Sequence, residues 1–252
     1  MQKFFLTVHS KITFEIRSDF ELSFTTENIL LLQAYVPGIA FIKENKKEAT
    51  FLILLKQNKQ KKLQLKKDEL IISDEWLNGI PIYFYHLVYC ISLKFWLQLG
   101  LYSLHSACLV KDNSCILLIG HSGSGKTTIS LNLINKFGFQ MFSSNKTLLR
   151  FTNKNLFEAI SGTTTITQKV NILKTLQPNK ISFVDRIAYR LNDNFYTKEK
   201  HFVIEQIYFA RLNGNVKEYH SVNKSEALIL LYQYLYDLFN SETILFNGKE
   251  IF

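Results

Sequence analysis

This 252-residue chain has three cysteines, three prolines and two methionines. Cys90, Cys108 and Cys115 are odd in number, lack C-x-x-C spacing and lie in apolar runs. That excludes a disulfide framework and a thiolate metal site, and leaves buried free thiols in a reducing compartment. Scarce proline, with 47% hydrophobic and 14% aromatic content, excludes proline-rich linkers and a disordered chain. Uninterrupted hydrophobic runs are missing as well. The apolar opening, residues 1–6, meets His9 and Lys11 too soon for a secretory signal. Residues 80–101 come nearest to a span, but Pro81, His86, Lys94 and Gln98 interrupt them. They read as a buried helix, and no membrane partner is expected. No internal repeat is visible.

Acid is in deficit: 21 Asp and Glu stand against 30 Lys and Arg, a formal charge of +9. A basic surface suits a nucleotide, an acidic peptide or a nucleic acid equally, so charge alone does not choose. Residues 56–67 hold six lysines. They read as a solvated hairpin connection and a lysine-protected edge strand, with an acidic-partner patch as the alternative. No aromatic residue interleaves with them, which argues against nucleic acid.

Alternation of polar and apolar residues predicts strands at 11–17 and 62–66, and a denser apolar strand at 49–55. A helix is expected over 74–99, broken near Gly79 and Pro81. Residues 105–110 and 115–119 form a hairpin. Shorter strands follow at 140–142, 147–151, 157–160, 165–170, 181–184 and 203–210. A last helix over 225–239 would be capped by Ser225. The fold class is therefore α/β, in the mixed α+β sense. A β-rich N-terminal part, residues 1–75, precedes a nucleotide-binding part, residues 76–252.

What the chain does have is one dense motif. Gly120, Ser124, Gly125, Lys126 and Thr127 fall within the pattern G-x-x-x-x-G-K-[ST], with His121, Ser122 and Gly123 between the anchors. An apolar strand runs in at 115–119. Behind it Ile129, Leu133, Ile134 and Phe137 recur at helical spacing, with Gly138 as the C-cap. Strand, glycine-rich turn and helix N-terminus make an anion site, because backbone N–H groups and the helix dipole converge on it. Gly120, Ser122, Gly123, Ser124, Gly125, Lys126, Thr127 and Thr128 would bind the phosphates of ATP. Lys126 would reach the β- and γ-phosphates, and the Thr127 hydroxyl would ligate Mg²⁺.

Phosphoryl transfer also calls for a carboxylate near the metal or the acceptor hydroxyl. The strand after the loop helix ends in Ser143, Ser144, Asn145 and Lys146, with no acid. Asn145 can offer Mg²⁺ a carbonyl oxygen. Glu158 and Asp185 are the nearest acidic candidates, Asp185 at the end of an hhhhD strand. Each can equally be a surface carboxylate. His105 opens the strand that feeds the loop and could serve as general base, or could simply pack at a strand end. Arg186 and Arg190 could clamp phosphate or lie on the surface.

A connected stretch resembles the HPr kinase/phosphorylase family and its small tailoring relatives. It comprises Leu104, His105, Ser106 and Ala107, the hairpin, the loop through Thr128, its helix, residues 139–149, and the turn Ser161, Gly162, Thr163. The resemblance covers residues 105–170. The β-rich N-terminal part looks like that of relatives in peptide-modifying clusters, including kinases that phosphorylate a terminal serine of lasso-peptide precursors. It implies a core shared with phosphoenolpyruvate carboxykinase, with ATP and Mg²⁺ as cofactors. It further implies a peptide or small-protein acceptor and a homo-oligomer, while the free thiols point to a cytoplasmic location. His105 would match the family's active-site histidine, and the family's aspartate pair falls on Ser144 and Asn145. Two functions are thus expected: a kinase transferring the γ-phosphoryl to a serine hydroxyl, with His105, Lys126 and Glu158 in the chemistry, or a catalytically silent ATP-binding partner.

Overall fold

A computed structural model describes residues 1–9, 11–42, 48–76, 79–154, 156–169, 180–183, 186–199, 201–212, 221–223, 225–232 and 234. The side chains of residues 168, 169, 180–183, 186 and 187 lie outside that description.

The first half of the chain builds one mixed sheet and the helices that cover it. Its elements are β1 (Gln2–Val8), β2 (Ile12–Ser18), α1 (Thr26–Tyr35), β3 (Ile39–Ile42), β4 (Phe51–Gln57), β5 (Lys62–Leu65), β6 (Glu69–Asp74) and α2 (Ile82–Gln98). The strand order is β3-β1-β2-β4-β6-β5, with β2, β4 and β6 parallel. Strict alternation in β2 buries Ile12, Phe14 and Ile16 on one face, where Phe51 and Ile53 of β4 join them. A capping box starts α1: Thr25 Oγ1 accepts the Asn28 amide, and Asn28 Oδ1 accepts the Thr25 amide. In α2, Phe84, Tyr85, Val88, Tyr89, Ser92 and Trp96 are buried at helical spacing against the same core. No helix among the described residues is long and apolar enough to cross a membrane.

The hairpin expected between β4 and β5 is not formed. β4 pairs with β6 in parallel, and β5 folds back onto β6 as the sheet's edge. Parallel pairing needs a connection that carries the chain back across the sheet, and the polar segment with β5 supplies it. The lysine-protected edge strand is present; the helix start at residue 74 is not, because Asp74 ends β6 and α2 begins beyond Pro81.

The second half centres on a larger sheet. It comprises β7 (Leu101–Leu104), β8 (Ser106–Lys111), β9 (Ser114–Ile119), α3 (Lys126–Phe137), β10 (Gln140–Ser143), β11 (Thr147–Phe151), β12 (Phe157–Gly162), β13 (Ile166–Lys169), β14 (Lys180–Phe183), β15 (Arg186–Tyr189), β16 (Phe202–Phe209) and a helix α4 over residues 225–232. Seven strands run in the order β10-β8-β9-β16-β12-β11-β7, and only β9 and β16 pair in parallel. β13, β15 and β14 form a small third sheet. Asp112 and Asn113 both take positive φ, the turn that two-residue hairpins favour, and join β8 to β9.

Alternation along this hairpin divides the core. Ala107, Leu109, Ile116 and Leu118 face α3 through Ile134, while Val110, Leu117 and Ile119 face Leu231 and Tyr234. Cys108 and Cys115 are fully buried on that second face, Sγ to Sγ 3.2 Å, and Cys90 is buried in α2. Leu148, Ile160 and Ala188 belong to the core of the first sheet. The boundary expected after residue 75 thus falls between β6 and α2, which share one core. The fold is mixed α+β. The cap of α4 differs from expectation: Asn223, rather than Ser225, forms a reciprocal box with Glu226.

Candidate functional site

Antiparallel register decides which residues meet at one edge of the large sheet. Ser106 lies opposite Ile119, so His105 stands level with Gly120 where β9 gives way to the loop. Phe209 also lies opposite Ile119, and Thr147 lies opposite both Leu104 and Gly162. The glycine-rich loop, His105, the turn at Ser144, Asn145 and Lys146, the turn at Thr163, and the end of β16 therefore share that edge.

Residues 120–125 turn sharply from β9 into α3. The Ser124 amide donates to the His121 carbonyl at 3.1 Å, and Gly125 caps the helix in the left-handed region. The end of β16 is stapled along the loop: the Ala210 amide donates to the Ile119 carbonyl at 2.6 Å and the Leu212 amide to the Ser124 carbonyl at 2.9 Å. This close packing explains Gly120. A Cβ there would lie 2.3 Å from Ser124 Oγ and 2.7 Å from the Ala210 carbonyl oxygen. His121 lies on the loop with its ring 4.6 Å from that of Tyr234.

Lys126 opens α3 and is buried. Its ammonium donates to the Gly120 carbonyl at 2.5 Å and to the His121 carbonyl at 3.0 Å. Burial pulls its pKa down to about 8, since desolvation penalises the charged form. Ser124 Oγ is buried and has no hydrogen-bond partner among the described residues. Thr127 and Thr128 follow in the first turn of α3, Thr127 half-buried and Thr128 exposed.

Beside the loop, His105 Nε2 lies 3.0 Å from Asn145 Oδ1. Two residues forty positions apart in the sequence are thus brought together. Asn145 was expected as a metal ligand; its oxygen instead accepts from the imidazole. Ser144 is buried and its hydroxyl donates to the Thr165 carbonyl at 2.7 Å. Lys146 is buried too, with its ammonium 3.0 Å from the centre of the Tyr89 ring.

Glu158 is not brought to this edge. It lies opposite Val203 at the start of β16, while Ile204 lies opposite Cys115 at the start of β9. At ~3.3 Å per residue that is roughly 15 Å of sheet away from the loop. There the Arg150 guanidinium holds its carboxylate at 2.5 Å. Glu158, one of the acids expected in the chemistry, is thus an ion-paired residue near the start of β12, away from the loop. Arg190 pairs with Asp193 at 3.0 Å and stacks on Tyr196. Asp185 lies outside the described residues, as does the Arg186 side chain.

Thr163 went unremarked as an individual residue. Its hydroxyl oxygen accepts the amides of Asn145 and Lys146, each at 3.0 Å. A Ser-Gly-Thr turn in a sequence does not reveal such contacts across 18 residues. No protein-family model matches this chain, and no curated protein matches it.

Proposed function

We propose that this chain is an ATP-dependent phosphotransferase that passes the γ-phosphoryl group to a hydroxyl, a serine of a peptide or small protein. One observation carries the reading. Lys126 is a buried ammonium at the head of a helix, held by two carbonyls of a glycine-rich loop. A polyphosphate against that ammonium offsets the desolvation that depresses its pKa.

The residues present fit a triphosphate. Gly120 leaves room only for backbone, the buried Ser124 hydroxyl has hydrogen-bonding capacity to give, and the amide-rich start of α3 attracts negative charge. Mg²⁺ fits more sparely. Among the described residues no three His, Cys, Asp or Glu side chains gather, and Asn145 Oδ1 is engaged by His105. Mg²⁺ keeps several waters and takes substrate phosphates as ligands, and the Thr127 hydroxyl is the protein oxygen that would hold it. Held by that hydroxyl, the ion would supply charge neutralisation to the transferring phosphates.

Lys126 holds the phosphates and offsets their charge, the loop orients them, and His105 takes the proton from the acceptor hydroxyl. The hairpin feeding the loop and the Thr163 turn beside Ser144 and Asn145 support a core like that of HPr kinase and phosphoenolpyruvate carboxykinase. Free buried thiols suit a reducing cytoplasm.

A second reading, nucleotide binding without transfer, is favoured by one feature. Neither Ser144, whose hydroxyl is spent on a backbone carbonyl, nor the neutral amide of Asn145 replaces an aspartate. Incubation with γ-labelled ATP and serine-terminated peptides separates the two. Label on serine that vanishes in Lys126→Ala supports the transferase. ATP binding with no label on any acceptor supports the silent binder.

A further inference from the structure

We propose that Thr163 is a positioning residue that, through Asn145, fixes the proton of the His105 imidazole on Nε2. Thr163 is fully buried at the end of the turn after β12. Its hydroxyl oxygen accepts two consecutive amides, Asn145 N and Lys146 N, and lies 3.2 Å from Ser144 Oγ. Its main chain pairs with the same segment: the Ser144 amide donates to the Thr163 carbonyl at 2.9 Å, and the Thr163 amide to the Lys146 carbonyl at 3.0 Å. Four hydrogen bonds between this one residue and the main chain of residues 144–146 thus set the backbone from which the Asn145 carboxamide projects. That carboxamide presents Oδ1 to His105 Nε2 at 3.0 Å.

An amide oxygen only accepts, so the ring nitrogen facing it must carry the hydrogen. The imidazole is then the Nε2–H tautomer, with Nδ1 as its acceptor nitrogen. An aspartate at position 145 would accept in the same way but would also stabilise a charged imidazolium. The neutral amide sets the tautomer without adding that charge. The use of the tautomer in proton transfer rests on the phosphotransferase reading; the tautomer itself does not.

The test is the ring-nitrogen spectrum of the ¹⁵N-histidine-labelled full chain at alkaline pH, with His105 assigned by its absence in His105→Gln. The wild type should show His105 as a single Nε2–H tautomer. Thr163→Ser, which keeps the hydroxyl, should preserve it. Thr163→Val keeps the shape but strands two amides, and should give a mixture of tautomers. In the transfer assay, Thr163→Val should lower kcat about tenfold with unchanged ATP affinity, and Thr163→Ser should restore it. An Nδ1–H tautomer in the wild type overturns the proposal, as does a wild-type spectrum in Thr163→Val. If Thr163→Val does not fold, Thr163→Ala is compared with Thr163→Ser by the same spectrum, and an unchanged tautomer again overturns it. None of these spectra depends on ATP, so their failure is distinct from failure of the transferase reading.

Discussion

The Gly38 amide donates to the Gly162 carbonyl at 3.2 Å, tying the first sheet to the turn that carries Thr163. On its other side the Gly38 carbonyl accepts the His9 amide at 3.0 Å, at the tip of the β1–β2 hairpin. The N-terminal sheet is therefore a buttress for the candidate site as well as a neighbour in the fold.

Gly38 is the place to test that buttress. Its φ is +66°, and a Cβ would lie 2.3 Å from Ser161 Oγ. Gly38→Ala should cost about 1–3 kcal/mol, from left-handed backbone strain and the side-chain clash together. Adding Ser161→Ala should recover part of the loss, because the clash goes while the strain stays. Urea unfolding midpoints of the two single variants and the double variant read this directly, and simple additivity would contradict the contact.

Restoring the acids that the family resemblance implies should succeed at one position and fail at the other. Ser144 is buried with its hydroxyl donating to the carbonyls of Thr163 and Thr165. A carboxylate there would face carbonyl oxygens, and Ser144→Asp should cost about 2–4 kcal/mol. Asn145→Asp keeps an acceptor facing His105 and should stay within about 1 kcal/mol of wild type. Thermal melts at neutral pH check the contrast.

Much of this could be read from the sequence where the signal is local. The strand, loop and helix around Lys126 follow from apolar spacing and a glycine pattern within some twenty residues. Alternation marked β2, and a short apolar run marked β9, for the same reason. What stayed hidden depends on pairing over distance. Parallel pairing of β4 with β6 leaves no mark on either strand. The register that carries Glu158 away from the loop is set by β16, some forty residues downstream. In α1 the run Leu30, Leu31, Leu32 blurs the helical period, and no helix is expected there from the sequence. His105 and Asn145 were linked only through a family resemblance, and nothing local assigned their hydrogen bond.

Lys126 should leave a pH signature. Its folded pKa is about 8 against an ordinary 10.5, so between those values the unfolded chain binds the extra proton. Its contribution to stability therefore rises as pH climbs from about 8 to 10.5. The difference in stability between wild type and Lys126→Met, followed across that range by urea unfolding, should grow in favour of wild type. A flat difference would mean that the ammonium is not desolvated.

Titration calorimetry of wild type and Lys126→Met with ATP and magnesium is the most direct measure of the central claim. Wild type should bind ATP with measurable heat and AMP far more weakly, since the loop takes hold of the β- and γ-phosphates. Lys126→Met, melting as a folded protein, should lose that binding. Absence of heat from folded wild type, or equal affinity in the variant, would contradict the account.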